Sequence, residues 1–250
     1  MEQRIAVFNF SGIYEEQDFY KKHPSRWLDF SDLTGVNGFC DSEASAIIEK
    51  RLTGLTEGII YIDEGNYHYL SYFTTIQVNE PFTLVVLDHH TDMKPSLFGD
   101  ILSCGSWIKH ALDNNSNLNK VILIGVADEL LNTIEEEYSD RVVIFPESTA
   151  AGSSKEWLGQ MAEEVNAPVY LSIDKDAFSR EDVITDWDQG TMRLKQLEAI
   201  YETIAEKTHI LAVDICGEYV SREAAGTETA GALEINNKAN LYLAEFFLGR

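Results

Sequence analysis

The run TLVVL stops abruptly at Asp88-His89-His90-Thr91-Asp92. Apolar and β-branched rather than alternating with polar residues, it suits a strand buried on both faces, as in a parallel sheet covered by helices. Six similar runs recur: IAVF near Ile5, GIIYI ending at Ile62, VILIGV from Val121, RVVIF from Arg141, PVYLSI from Pro168 and HILAV from His209. Stretches with helical spacing lie between them, at 43–52, 106–112, 129–138, 155–165, 194–207 and 237–248. Strand and helix thus alternate, which predicts a three-layer α/β/α fold around a doubly wound, mainly parallel sheet. The most loop-like stretch, residues 221–232, follows the last expected strand.

A chain of 250 residues with 44% hydrophobic content, 12 Phe, 11 Tyr and 4 Trp can fill such a core as a single domain over residues 1–250. A formal charge of −23 argues against nucleic acid or an anionic membrane as partner, because phosphate binding needs clustered Lys and Arg. Most of that charge belongs to solvated helix faces such as Glu135, Glu136 and Glu137. The start, MEQRIAVFNFSG, lacks the basic segment and apolar stretch of a signal peptide, and no eighteen uninterrupted apolar residues occur, so a cytoplasmic location is expected. Cys40, Cys104 and Cys216 stand far apart with no CxxC pair, which suggests reduced thiols rather than a disulfide framework or a zinc ribbon.

In an open α/β sheet, ligands bind beyond the carboxyl ends of the strands. Three expected strands end there in metal-ligating residue types. TLVVL leads into Asp88-His89-His90-Thr91-Asp92, where alternation in an extended strand end puts Asp88, His90 and Asp92 on one face and His89 on the other. PVYLSI leads into Asp174-Lys175-Asp176, with Lys175 turned away, and GIIYI leads toward Gly65-Asn66-Tyr67-His68. Separately, a loop histidine or a DxD pattern is often a surface or capping feature. Four carboxylates and two imidazoles beyond buried strands would be costly without a counter-charge, and this mostly oxygen, partly nitrogen donor set suits manganese.

With these residues the chain resembles the arginase and agmatinase ureohydrolases. Their strand-end signatures GGDH, DAHxD and SxDxDxxDP have counterparts, in the same order, in GNYH at 65–68, DHHTD at 88–92 and SIDKDAFSR at 172–180. The resemblance covers roughly residues 60 to 220 and implies two manganese ions. One ion would be held by His68, Asp88, Asp92 and Asp174, the other by Asp88, His90, Asp174 and Asp176. There are departures. GNYH lacks the Gly-Asp pair before the histidine, and Ser179-Arg180 stands where Asp-Pro is usual. Cys104, before Gly105, occupies the place of the family's catalytic histidine, and no segment for gripping free arginine is recognisable in residues 94–103. Asp214-Ile215-Cys216-Gly217-Glu218 resembles the DIxE motif, whose glutamate pairs with the substrate guanidinium, with Glu218 one residue late; a glutamate capping the exit from the strand is the alternative. Asp186 or Asp188 could also meet a cationic group or cap the following helix.

The function implied is hydrolysis of a linear guanidino group. Paired metal ions lower the pKa of water from about 15.7 toward about 7 for attack on the guanidinium carbon. With Cys104 in the histidine's place, a water, Asp92 or His110 would move the proton to the leaving nitrogen. Some ureohydrolases, the peptide arginases, convert arginine to ornithine within a precursor peptide, and this short, divergent chain is most similar to that branch. The expected partner is therefore a guanidino small molecule or an arginine-containing peptide; homo-oligomerisation is left open. The alternatives are a metal-dependent amide hydrolase of deacetylase type and a non-catalytic metal-binding protein of the same fold.

Overall fold

The computed structural model describes residues 4–55, 58–95, 99, 101–152, 154–220 and 227–250, the side chains of 227–230 excepted. In chain order the elements are β1 (Ile5–Asn9), β2 (Ser25–Asp29), β3 (Phe39–Cys40), α1 (Ser42–Leu52), β4 (Ile59–Ile62), α2 (Leu70–Thr75), β5 (Phe82–Leu87), β6 (Leu102–Ser103), α3 (Trp107–Asn114), β7 (Leu118–Val126), β8 (Val142–Pro146), α4 (Glu147–Ala150), α5 (Glu156–Glu164), β9 (Val169–Asp174), α6 (Leu194–Ala205), β10 (Ile210–Cys216) and α7 (Thr227–Leu248), with short 3-10 turns between. All seven apolar runs are strands. Eight strands form one sheet in the order β2-β1-β4-β10-β9-β5-β7-β8, and each neighbouring pair is parallel.

Alternate strand residues feed two separate cores, which explains why the runs are apolar throughout. Ala6, Phe8, Ile60, Leu84, Val86 and Leu123 pack on one face with α1, α2 and α3. Val7, Tyr61, Val85, Leu87, Ile122 and Leu171 pack on the other with α5, α6 and α7. Helices therefore cover both faces, as a three-layer fold requires. Among the described residues no helix is long and apolar enough to cross a membrane.

The structure departs from the sequence reading at several elements. The edge strand β2, SRWLD, has only Leu28 buried, so it lacks the two-sided apolar signal of the central strands. The helix expected over 129–138 is instead two 3-10 turns, Asp128–Thr133 and Glu136–Tyr138. Only Tyr138 of these residues is buried, so a helix would have little apolar face to dock. Of the expected loop 221–232, residues 221–226 lie outside the described residues, and the remainder belongs to α7, which begins at Thr227 rather than Asn237. Helix α2, which begins two residues after His68, was not anticipated.

Candidate metal centre

Strands β4, β10, β9 and β5 are consecutive in the sheet, and residues at or beyond the carboxyl ends of β4, β9 and β5 line one cavity. His68 reaches it from β4 through the 3-10 turn Gly65–Tyr67, Asp88 follows β5, and Asp174 closes β9. Between β4 and β9, β10 gives way to Gly217 at φ 96°, where a Cβ would come within 2.5 Å of Asp174 Oδ1. Only a residue without a side chain leaves Asp174 its place.

All six expected ligand residues line this cavity. The first group centres on His68: its Nδ1 lies 3.3 Å from Asp88 Oδ2, 3.0 Å from Asp92 Oδ2 and 3.3 Å from Asp174 Oδ2. In the second, His90 Nδ1 lies 2.9 Å from Asp176 Oδ2 and 3.5 Å from Asp88 Oδ1. Asp88 belongs to both groups of converging ligand atoms. Asp174, expected to serve both, turns Oδ2 to the first group, while its Oδ1 accepts from the amide of Asp176 at 3.0 Å.

Neighbouring groups hold these side chains in place. His68 Nε2 lies 3.0 Å from Ser172 Oγ, and Asp92 Oδ2 accepts from Trp107 Nε1 at 2.7 Å. Strand alternation does not bring Asp88, His90 and Asp92 together, since β5 ends at Leu87. The chain turns instead: Asp88 Oδ1 accepts from the amide of His90 at 2.6 Å, and Asp92 adopts φ 47°, the left-handed conformation that aspartate tolerates better than most residues. His89 does point elsewhere, with Nδ1 3.8 Å from Glu147.

Crowding gives the site unusual proton affinities. Burial and the charge of Asp176 push the Asp174 carboxyl up to about 8. Burial acts to lower the imidazoles, but Asp176 and Asp88 outweigh it for His90, raising it to about 11, and Asp88 and Asp92 likewise raise His68. Although His68 Nδ1 and Asp88 Oδ2 are buried within reach of each other and of the neighbouring carboxylates, neither makes a hydrogen bond of sound geometry. Converging carboxylates with ligand atoms so placed fit divalent cations, which would supply the missing positive charge.

The cavity measures about 50 Å³, room for a few water-sized groups. Its rim is made by Gly65, Lys94, Cys104, Gly105 and Trp187. Trp187 was missed in the sequence, although an indole in a turn-rich loop after a ligand-bearing strand was a signal available there.

Residues 15–232 match the sequence profile of the arginase family. The chain belongs to the arginase family. An uncharacterised protein of Thermotoga maritima is 34% identical to it over 214 residues, 86% of this chain and 79% of the relative. The fold is similar to that of proclavaminate amidino hydrolase from Streptomyces clavuligerus, with TM-score 0.65 and 15% identity over 96% of this chain and 90% of that one. It is also similar to the agmatine ureohydrolase of Thermoplasma volcanium, with TM-score 0.62 and 15% identity over 97% and 92% of the two chains. Arginase from Bacillus caldovelox gives TM-score 0.61 and 12% identity over 97% and 98%. At these identities the structural likeness is one of fold.

For this arginase-family chain, the other site residues read from the sequence fall in different places. Cys104 lines the cavity, its amide donating to Gly38 O at 3.1 Å, and burial followed by the charge of Asp92 pushes its thiol up to about 12. Glu218 does not line the cavity. Its carboxylate is buried, paired with Lys175, and accepts from Gln17 Nε2 at 2.9 Å, Asn236 Nδ2 at 3.2 Å and Asn240 Nδ2 at 2.6 Å. The carboxylate expected to meet a guanidinium thus faces an internal ion pair with Lys175 rather than the cavity. Asp186 Oδ2 accepts from the amide of Val220 at 2.7 Å, Asp188 is exposed, and neither lines the cavity. His110 packs against Tyr72, ring centroids 4.6 Å apart, away from the six ligand residues.

Proposed function

We propose that the chain is a binuclear manganese hydrolase of the linear guanidino group, releasing urea from an arginine side chain carried in a peptide and leaving ornithine. One observation carries this reading: two groups of ligand atoms share Asp88, and within them His68 Nδ1 and Asp88 Oδ2 are buried without a hydrogen bond of sound geometry. His68, Asp88, Asp92 and Asp174 would hold one ion, and Asp88, His90 and Asp176, with Asp174, the other. Oxygen donors with two imidazoles favour manganese, and Cys104, whose thiol is pushed up to about 12, offers little thiolate to a softer metal. Bound there, the pair would activate water for attack on a trigonal carbon.

The chain's own groups do the rest. Ser172 fixes the orientation of the His68 ring, and Trp107 that of Asp92. Asp92 also acts electrostatically on Cys104, at the position of the family's histidine, and is the group proposed to carry a proton to the leaving nitrogen. The lack of a recognisable segment for gripping free arginine in residues 94–103 favours a peptide over free arginine. Urea and ornithine released by manganese-loaded protein should be measured over arginine-containing peptides, arginine, agmatine and guanidinobutyrate. Peptides are expected to turn over fastest. Faster turnover of free arginine than of every peptide rejects the peptide substrate, and no urea from any compound rejects the guanidino reading.

A further inference from the structure

Two divalent ions would offset the charge of the four carboxylates lining the cavity, Asp88, Asp92, Asp174 and Asp176, so a loaded floor attracts a guanidinium far less than the bare carboxylates do. Lys94 on the rim adds a positive charge. Glu218, the carboxylate expected to meet the guanidinium, is buried against Lys175. A planar cation would need a further contact from the described residues lining the cavity to be held at this mouth.

Among the described residues lining the cavity, Trp187 alone carries a large apolar side chain, and it is 40% exposed. The loop beneath it is firmly tied down. Thr185 Oγ1 donates to Trp187 O at 3.2 Å, Gln189 Nε2 donates to Phe178 O at 3.0 Å, and the amide of Gly190 donates to Asp176 O at 2.7 Å. The last bond anchors the loop to the backbone of a ligand residue. The indole stands edge-on to His90, ring centroids 5.6 Å apart at 74°, and reaches across to Gly65. A Cβ at position 65 would lie 2.8 Å from Trp187 Cδ1 and 3.0 Å from Nε1, so the glycine that begins the His68 turn leaves room for this ring. The indole thus spans the mouth between the two ligand groups on a fixed support.

Resting on the proposed guanidino hydrolysis, we propose that Trp187 is the specificity-determining residue of the site: its indole is the wall on which the substrate's planar amidinium or guanidinium cation stacks. Tryptophan binds such cations best among aromatic side chains, and guanidinium adds planar stacking to the electrostatic attraction. A neutral isostere of the same shape, the urea group of citrulline, lacks the charge that makes the contact.

The test uses manganese-loaded wild type, Trp187→Phe and Trp187→Leu, with N-acetylarginine amide and N-acetylcitrulline amide as probes. Metal content is measured first, then probe affinity by calorimetry, then KM and kcat. The expected results are unchanged metal content, arginine-probe affinity falling from Trp through Phe to Leu by roughly 2- to 30-fold, and a corresponding rise in KM with kcat little changed. Metal-loaded Trp187→Leu binding the arginine probe as tightly as wild type overturns the inference while leaving the metal centre intact. Failure of wild type to take up manganese overturns the reading beneath it as well.

Discussion

The ammonium of Lys175 and the carboxylate of Glu218 meet with neither side chain exposed, while Asp174 and Asp176, the neighbours of Lys175, line the cavity. Asn236 and Asn240, on the buried stripe of α7, complete the network, with Lys175 Nζ also donating to Asn240 Oδ1 at 3.3 Å. Removing one partner of such a pair strands a buried charge. Glu218→Ala is therefore expected to lower unfolding free energy by about 3–5 kcal/mol, measurable by urea denaturation. Glu218→Gln should lose less, since its amide oxygen can still accept from Lys175 and Asn240. Undiminished stability in both variants, combined with lost turnover, would return Glu218 to the substrate.

The raised proton affinities predict how pH and metal act together. Asp174 is raised from 3.8 to about 8, so its stabilising contribution is complete below pH 3.8 and is lost as pH rises through 8. His90 is raised from 6.5 to about 11, and its contribution is complete below pH 6.5 and fades as pH climbs toward 11. Metal-free protein thus loses stability on both counts between roughly pH 6.5 and 9, whereas cations take the deprotonated ligands. The gap in thermal midpoint between manganese-loaded and chelator-stripped protein should widen across that window. A gap that stays constant or narrows contradicts this electrostatic account.

With its thiol pushed up to about 12, Cys104 holds roughly one part in ten thousand as thiolate at pH 8. Covalent attack by this side chain is not expected. Iodoacetamide should label it slowly in the folded protein, and Cys104→Ser should keep its metal and at least part of its activity. A substrate adduct trapped on Cys104 by mass spectrometry would contradict this.

The central strands were legible because burial on both faces demands unbroken apolar runs, as in TLVVL and VILIGV. Edge strand β2 was not, since solvent on its outer side permits SRWLD. The grouping of Asp88, His90 and Asp92 was readable from spacing, but the cause was misjudged: a turn with Asp92 at φ 47° brings them together, and spacing does not encode that conformation. The position of Glu218 depends on Gln17, Lys175, Asn236 and Asn240, whose approach is set by the tertiary fold. Trp187 was hidden for a related reason, because its meaning lies in its contact with Gly65, which is remote in sequence.

The central claim is that two metal ions share Asp88, and counting metal tests it most directly. Elemental analysis of manganese-loaded, dialysed protein should give close to two ions per chain in wild type and near zero in Asp88→Ala, with circular dichroism confirming that the variant is folded. A single ion in wild type, or two ions retained in folded Asp88→Ala, would contradict it.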